Sequence, residues 1–173
     1  MLKLKKQKRG AILIEAAFVL PLFFLLIFGI FEAYRMKVAE KLADTVSMNV
    51  VTDVTSRRSI SSSQIEKIIE TCNDEMDIRL LSNAQIDSRV RCSVEIYKNH
   101  DTAKASSIPT TWPTSQGKVQ YIDGATSLQS GYTVAVTAFI KYEFLTQLTK
   151  SAFTGNSKDV NFYIRKRHFM KCT

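Results

Sequence analysis

From Ala11 to Phe31 apolar residues follow one another with no polar stripe, and Glu15 is the one charge in these 21 positions. A soluble core helix rarely stays apolar on all faces for so long. As a helix the run measures about 31 Å, close to the hydrocarbon thickness of a bilayer, so it predicts a transmembrane helix over 11–31. The pattern then becomes amphipathic. Val38, Leu42, Val46 and Val50 recur every four residues, with Ala39, Ala43 and Met48 nearby and Lys37, Glu40, Lys41 and Asp44 opposite or flanking. That stripe predicts one helix from about 11 to 54, its second half laid by one face on a globular head.

A turn is expected at 56–62. Ser63-Gln64-Ile65-Glu66 fits a capping box, and Ile65, Ile68, Ile69, Cys72 and Met76 form a helical stripe over 64–81. From Ser88 the period changes to two: Val90, Cys92, Val94 and Ile96 alternate with Arg89, Arg91, Ser93 and Glu95, which predicts a half-buried strand over 88–97. Residues 99–118 are polar and carry Pro109, Pro113 and Gly117. They read as a long loop, with Trp112 at its tip as an adhesive contact or folded back and packed. Strands are expected at 118–122 and 132–142, the second apolar enough on both faces to be central. Residues 144–153 read as a short amphipathic helix or an irregular apolar cover. Val160, Phe162 and Ile164 alternate again and lead into Arg165-Lys166-Arg167-His168, a basic run that reads as a solvated strand edge. The predicted class is α+β: a long N-terminal transmembrane helix continuing into a small head with a second helix and a mostly antiparallel sheet of three or four strands.

The formal charge of +8 changes this picture little. Lys3, Lys5, Lys6, Lys8 and Arg9 lie in the first ten residues with no acid among them; elsewhere 19 basic residues face 16 acidic ones. A basic chain invites a nucleic-acid reading, but here most of the excess flanks a membrane segment, and no nucleic-acid partner is expected. Cations on the N-terminal side place residues 1–10 in the cytoplasm and the head outside the inner (plasma) membrane. A secretory signal would have a shorter apolar region followed by a small-residue cleavage site. Here Glu-Ala-Tyr-Arg-Met-Lys follows the run, and the small residue beside the basic flank is Gly10, before it.

Basic residues, Gly10, then an apolar segment with Glu15 at the fifth position after the glycine resemble a type IV prepilin leader. The longer string Arg9-Gly10-Ala11-x-x-x-Glu15-x-Ala17-x-Val19-Leu20-Pro21-Leu22, followed by Phe28-Gly29-Ile30-x-Glu32, more closely resembles the TadE/TadF-like pseudopilins of tight-adherence (Tad) pilus systems. The likeness covers about residues 8–35. It implies a pilin-like architecture and cleavage between Gly10 and Ala11 by a prepilin peptidase. That leaves a cleaved leader at 1–10, a span at 11–31, a helix extension at 32–55 and a head at 56–173. It also implies partners among other pilins and pseudopilins, Tad inner-membrane assembly proteins and membrane lipid, and a role in pilus assembly and surface adhesion, with incorporation in a pilus open. Major pilins of this class usually carry tyrosine after the acid and have much shorter mature chains. Ala16 and the length of this chain therefore point to a minor pseudopilin.

Glu15 is the residue that this resemblance gives a role. A carboxylate in lipid costs a few kcal/mol or more and persists when it has a partner. In pilin-like assemblies the acid neutralises the new α-amino group of a neighbouring subunit. The other reading is that Glu15, about 6 Å along the axis from Ala11, snorkels to water. Pro21 removes one backbone donor inside the span, as an ordinary kink or as the local loosening common in pilin-like filaments.

No catalytic chemistry is expected. His100 and His168 lack a neighbouring ligand set, no Gly-rich phosphate loop is present, and Asp74, Glu75 and Asp77 read as a solvated cluster. No cofactor and no metal are predicted. Cys72, Cys92 and Cys172 would all lie outside, where disulfides persist. Cys72–Cys92 is the expected bridge if the 64–81 helix docks on the strand; Cys92–Cys172, or no bridge, are the alternatives. Two other functions fit the leader: a type II secretion pseudopilin, against which the Val-Leu-Pro and Phe-Gly-Ile-x-Glu strings argue, and an uncleaved single-pass membrane-anchored accessory protein.

Overall fold

The structure is a computed structural model that describes residues 2–57, 60–79, 90–109, 113, 119–144, 150–151 and 162–173; the side chains of 2–13, 73, 75–79 and 90 lie outside that description. Expectations for Trp112, Gly117, Met76 packing and most of 144–161 fall outside it. The elements are α1 (Leu2–Ser56), α2 (Ser62–Arg79), β1 (Val90–Tyr97), α3 (His100–Ala105), β2 (Val119–Ile122), β3 (Thr133–Tyr142) and β4 (Phe162–Lys171). The α+β expectation holds: one long apolar N-terminal helix, then a small head with a second helix and a mostly antiparallel sheet. The chain divides into two compact units, residues 1–36 with 144–158 and residues 37–143 with 159–173.

In the first unit, α1 runs without interruption through Pro21. From Ile14 to Phe31 every side chain is exposed except Ala16, which is half-buried. Backbone polar groups of a helix are satisfied internally, so such a surface suits lipid or other helices rather than water.

The second unit is built on a sheet of order β2-β1-β3-β4. β1 and β4 both run antiparallel to β3, which is buried from Thr133 to Ile140 on both faces, as its two-sided apolar pattern predicts. β1 and β2 are parallel. A parallel pair requires a crossover, and α3 lies in it.

The first sheet face carries Cys92, Val94 and Ile96 of β1, in rows with Ala138, Val136 and Val134 of β3 and with Lys166, His168 and Met170 of β4. Helices cover this face. Thr55 Oγ1 lies 2.9 Å from Met170 Sδ. Lys166 Nζ reaches Glu40 Oε1 at 2.7 Å, and His168 Nε2 lies 2.9 Å from Asp44 Oδ1. The buried line of α1 is Ala39, Ala43, Val46, Val50, Val51 and Val54. It starts one position later than predicted: Val38 is 47% exposed, and Leu42 is half-buried. With Ala39 and Ala43 on the buried line, Glu40 and Asp44 fall on the flank that meets Lys166 and His168 of β4. Ser47 and Thr55, also buried, return their hydroxyls to the carbonyls of Ala43 and Val51.

The start of α2 corrects the predicted cap. The capping box is Ser61 with Gln64: Gln64 N donates to Ser61 Oγ at 3.4 Å, and Ser61 N donates to Gln64 Oε1 at 3.0 Å. Ser63 is inside the helix, and Glu66 is exposed. Ile60 and Ile65, both buried, hold the positions of a hydrophobic staple around this box. That pairing selects Ser61 from a run of three serines. Tyr121 OH lies 2.5 Å from Ser62 Oγ and ties α2 to the face on which Tyr121 pairs with Ile96.

A pH effect follows from the rim of α1. The bond from Lys166, then that from Lys37, holds the Glu40 carboxyl down to about 2 from an ordinary 4.5. A depressed folded value adds stability above the ordinary carboxylate range, and the gain is lost as pH falls through the folded value. The head is therefore expected to weaken between about pH 4.5 and 2. Glu40→Gln removes part of that slope, read as a flatter acid-unfolding profile. An unchanged profile would show that the solvent-facing pair contributes nothing.

Candidate functional site

Two regions hold the groups with chemistry: the charges of α1 and the second face of the sheet. Gly10 and Ala11 lie on the α1 backbone. Glu15 follows four residues after Ala11, one helical turn along and on the same side, and its side chain is exposed. Pro21 lies within the helix. A Cβ added at Gly29 would meet nothing within 4 Å, so the rest of the described chain does not require glycine there. Glu32 is the exception on this exposed helix: it is 1% exposed, with Oε2 3.6 Å from Arg35 Nη1. The sequence placed Glu15, Gly29 and Glu32 in one motif. It gave no sign that one acid is open while the other is buried.

The basic run lies on the edge strand β4, as expected, but its charges are paired on both sheet faces rather than simply solvated. Alternation along β4 sends Lys166 and His168 to the acids of α1 and turns Arg165 and Arg167 the other way. Those two, with Arg91 of β1, hold the segment that follows α3. Arg167 Nη1 donates to the Ser107 carbonyl at 2.6 Å, Arg165 Nη1 to the Pro109 carbonyl at 3.3 Å, and Arg91 Nη1 to the Pro113 carbonyl. Arg167 Nη2 also donates to Glu95 Oε2 at 2.5 Å, to Tyr97 OH at 3.0 Å and to Ser106 Oγ at 2.9 Å. Tyr97 OH donates to the same Glu95 oxygen at 2.6 Å. Burial, and then the Glu95 carboxylate, push the Tyr97 hydroxyl above its ordinary range. The Arg167 guanidinium lies 5.0 Å from the Phe169 ring centroid.

The helix inside the predicted loop belongs to this face. Asn99 Oδ1 accepts from Asp101 N at 3.0 Å, and Ser106 N closes the other end on the Thr102 and Ala103 carbonyls. Ala103 packs in a cluster with Tyr97 and Ala135, joined by Ile122 and Phe169. The signal was present in the sequence: an Asn cap, an acid in the first turn and a lysine in the last. Its polar surroundings and single apolar anchor concealed it. The arrangement docks a segment and satisfies buried charge. His100 Nδ1 lies 3.0 Å from Thr133 Oγ1. Among the described residues no group of three or more His, Cys, Asp or Glu could hold a metal ion.

The three cysteines are unbonded thiols, Cys72 half-buried and Cys92 and Cys172 buried. β4 pairs with β3 rather than with β1, which separates Cys172 from Cys92. Cys172 lies past the Thr133–Lys171 row, whereas Cys92 is in row with Ala138 and Lys166.

An α+β head behind one helix long and apolar enough to cross a membrane defines a class compatible with a single-pass membrane anchor. Residues 10–47 match the family model described as TadE-like protein. The match begins at Gly10 and runs past the motif read from the sequence, through Glu40 and Asp44 into the helix extension. Comparison with curated proteins and with solved structures gave no match. A TadE-like segment on an apolar anchor helix supports a Tad pilus-associated protein.

Proposed function

We propose that the chain is a minor pseudopilin of a Tad pilus. In this reading a prepilin peptidase cleaves it after Gly10, a single span with the N-terminus cytoplasmic holds it in the inner membrane, and it takes part in pilus assembly and surface adhesion. The observation that carries the reading is the continuous α1 with Glu15 exposed one turn after Ala11, in the segment where the TadE-like match begins. Cleavage frees an α-amino group at Ala11, and Glu15 is the group able to neutralise that of a neighbouring subunit. The partners are other pilins and pseudopilins and the Tad inner-membrane assembly proteins. The buried Arg167–Glu95 pair and the docked segment serve the fold of the head, so binding rather than catalysis is the proposed activity.

The test is the mass of the mature chain from cells that carry a prepilin peptidase. A chain starting at Ala11 is expected, and a bulky Gly10→Leu substitution should leave the leader attached. An intact leader on the unsubstituted chain would instead support an uncleaved accessory protein. Gly29→Leu gives a further check. The single chain has open space at that position, so membrane insertion and head stability should be unchanged; any defect should be confined to assembly, read by cross-linking to partner pilins.

A further inference from the structure

α2 lies on the helix-covered face of the sheet, the face that carries Cys92. Cys72, on α2, lines an open cleft of about 510 Å³ whose other walls include Asp53, Arg57, Lys67, Ile68 and Thr71. Cys92, 1% exposed, lies in β1 on the sheet face that α2 covers. α2 packs along β1 from the Ser62–Tyr121 contact, which is level with Ile96. The ten helical residues on to Cys72 cover about 15 Å and the four strand residues back to Cys92 about 13 Å, which brings the two cysteines to one level. Burial, then the neighbouring Cys72, push the Cys92 thiol up to about 12. The pair is therefore unequal. One thiol is reached from solvent, and the other is shielded by the sheet.

The third cysteine cannot join them. Cys172 N donates to the Tyr132 carbonyl at 2.8 Å, and its own carbonyl accepts from Gly131 N at 2.9 Å, which fixes it at the far end of β3. The row of Cys92 is six residues away, about 20 Å at strand spacing. A disulfide requires Cα atoms about 4.4–6.8 Å apart.

We propose that Cys72 and Cys92 form a dithiol site that takes one oxidative modification, closure to an intramolecular disulfide by an external disulfide entering through the α1–α2 cleft. The Cys72 thiolate attacks one sulfur of the incoming disulfide and releases the other as a thiol. Cys92 then gives up its proton and attacks Sγ of Cys72, releasing the second thiol. Two protein thiols become one disulfide, and one disulfide of the oxidant becomes two thiols. The order follows from access and reactivity: Cys72 lines the open cleft, whereas burial shields Cys92 and favours its neutral thiol, and the thiolate is the nucleophile, so Cys92 receives the bridge second. Closure pins α2 to β1 and leaves Cys172 reduced. Occurrence in cells rests on the outward placement of the head proposed above; the pairing does not.

The test uses the full chain purified reduced in detergent, treated with oxidised glutathione and mapped by non-reducing peptide mass spectrometry. A Cys72–Cys92 peptide is expected, with Cys172 alkylated only after denaturation. Cys172→Ser should keep the bridge, and Cys72→Ser should leave Cys92 unmodified in the folded chain. Three free thiols after treatment, or any peptide joining Cys172 to Cys92, would overturn the proposal. A second arm traps thiols with acid in whole cells. Bridged chains there support both readings; a chain that closes in detergent but stays reduced in cells overturns the outward placement and leaves the site intact.

Discussion

Arg167→Ala will cost the head about 3–5 kcal/mol, the penalty for breaking a buried ion pair from one side. The Arg167 side chain is 2% exposed and that of Glu95 9%. Removing the guanidinium strands the Glu95 carboxylate with Tyr97 as its remaining donor and takes a donor from both the Ser107 carbonyl and the Ser106 hydroxyl, which keeps its own bond to the Ala103 carbonyl. Arg167→Lys keeps the charge but not the planar fork that reaches four partners, so it should recover only part of the loss. The pair Arg167→Met with Glu95→Leu should be milder than Arg167→Ala, because it leaves no buried charge. Hydrogen exchange of β1 and β4 amides in the full chain measures the free energy. A single substitution costing under about 1 kcal/mol would put this pair with solvent-exposed ones and end the argument.

Glu15→Ala will insert and be processed normally yet fail to assemble. An unpaired charge costs about 2.5–3.5 kcal/mol or more at the helix centre and less where Glu15 lies, about 6 Å from the end of the apolar run; each 1.4 kcal/mol is a factor of ten. If Glu15 neutralises a neighbour's α-amino group, the alanine variant leaves that ammonium without its carboxylate, and incorporation should fall by tenfold or more. Glu15→Gln should behave like alanine, since it restores shape and not charge. Glu15→Asp should recover part of the loss. The reading is the fraction of membrane-inserted chain that co-purifies with partner pilins. Co-purification at the level of the unsubstituted chain would mean that Glu15 snorkels to the interface and takes no part in registration.

The two substitutions differ in what made them visible. Glu15 needed no coordinates. A carboxylate in an otherwise apolar run contradicts its surroundings, and Gly10 at five residues' distance gives it a context. The same holds for the span, for the helix continuing beyond it and for β3 as the central strand, because each is set by a local period: no polar stripe at all, one stripe at helical spacing, apolar residues on both sides of a strand. These patterns are written along the chain because an apolar surrounding, or burial between two layers, acts on many consecutive residues at once.

What the chain concealed is a matter of partners far apart in sequence. The basic run of β4 reads as one cluster, yet strand alternation divides it between two faces. Lys166 and His168 meet Glu40 and Asp44 more than a hundred residues away, and Arg167 meets Glu95 across the sheet. The cap of α2 was misplaced because three serines are locally equivalent, and burial of Ile60 against the head breaks the tie. The one-position shift along α1 is also tertiary: with Ala39 and Ala43 inward, Glu40 and Asp44 meet Lys166 and His168. α3 carried its own caps but only one apolar anchor, too weak a period to read without the Tyr97 and Phe169 side chains that receive it. The sequence by itself determined the long apolar helix, the acid within its apolar run and the order of the strands along the chain. The tertiary structure alone decided which charges pair, since a Coulomb partner is selected by distance in space and the chain records only distance along itself.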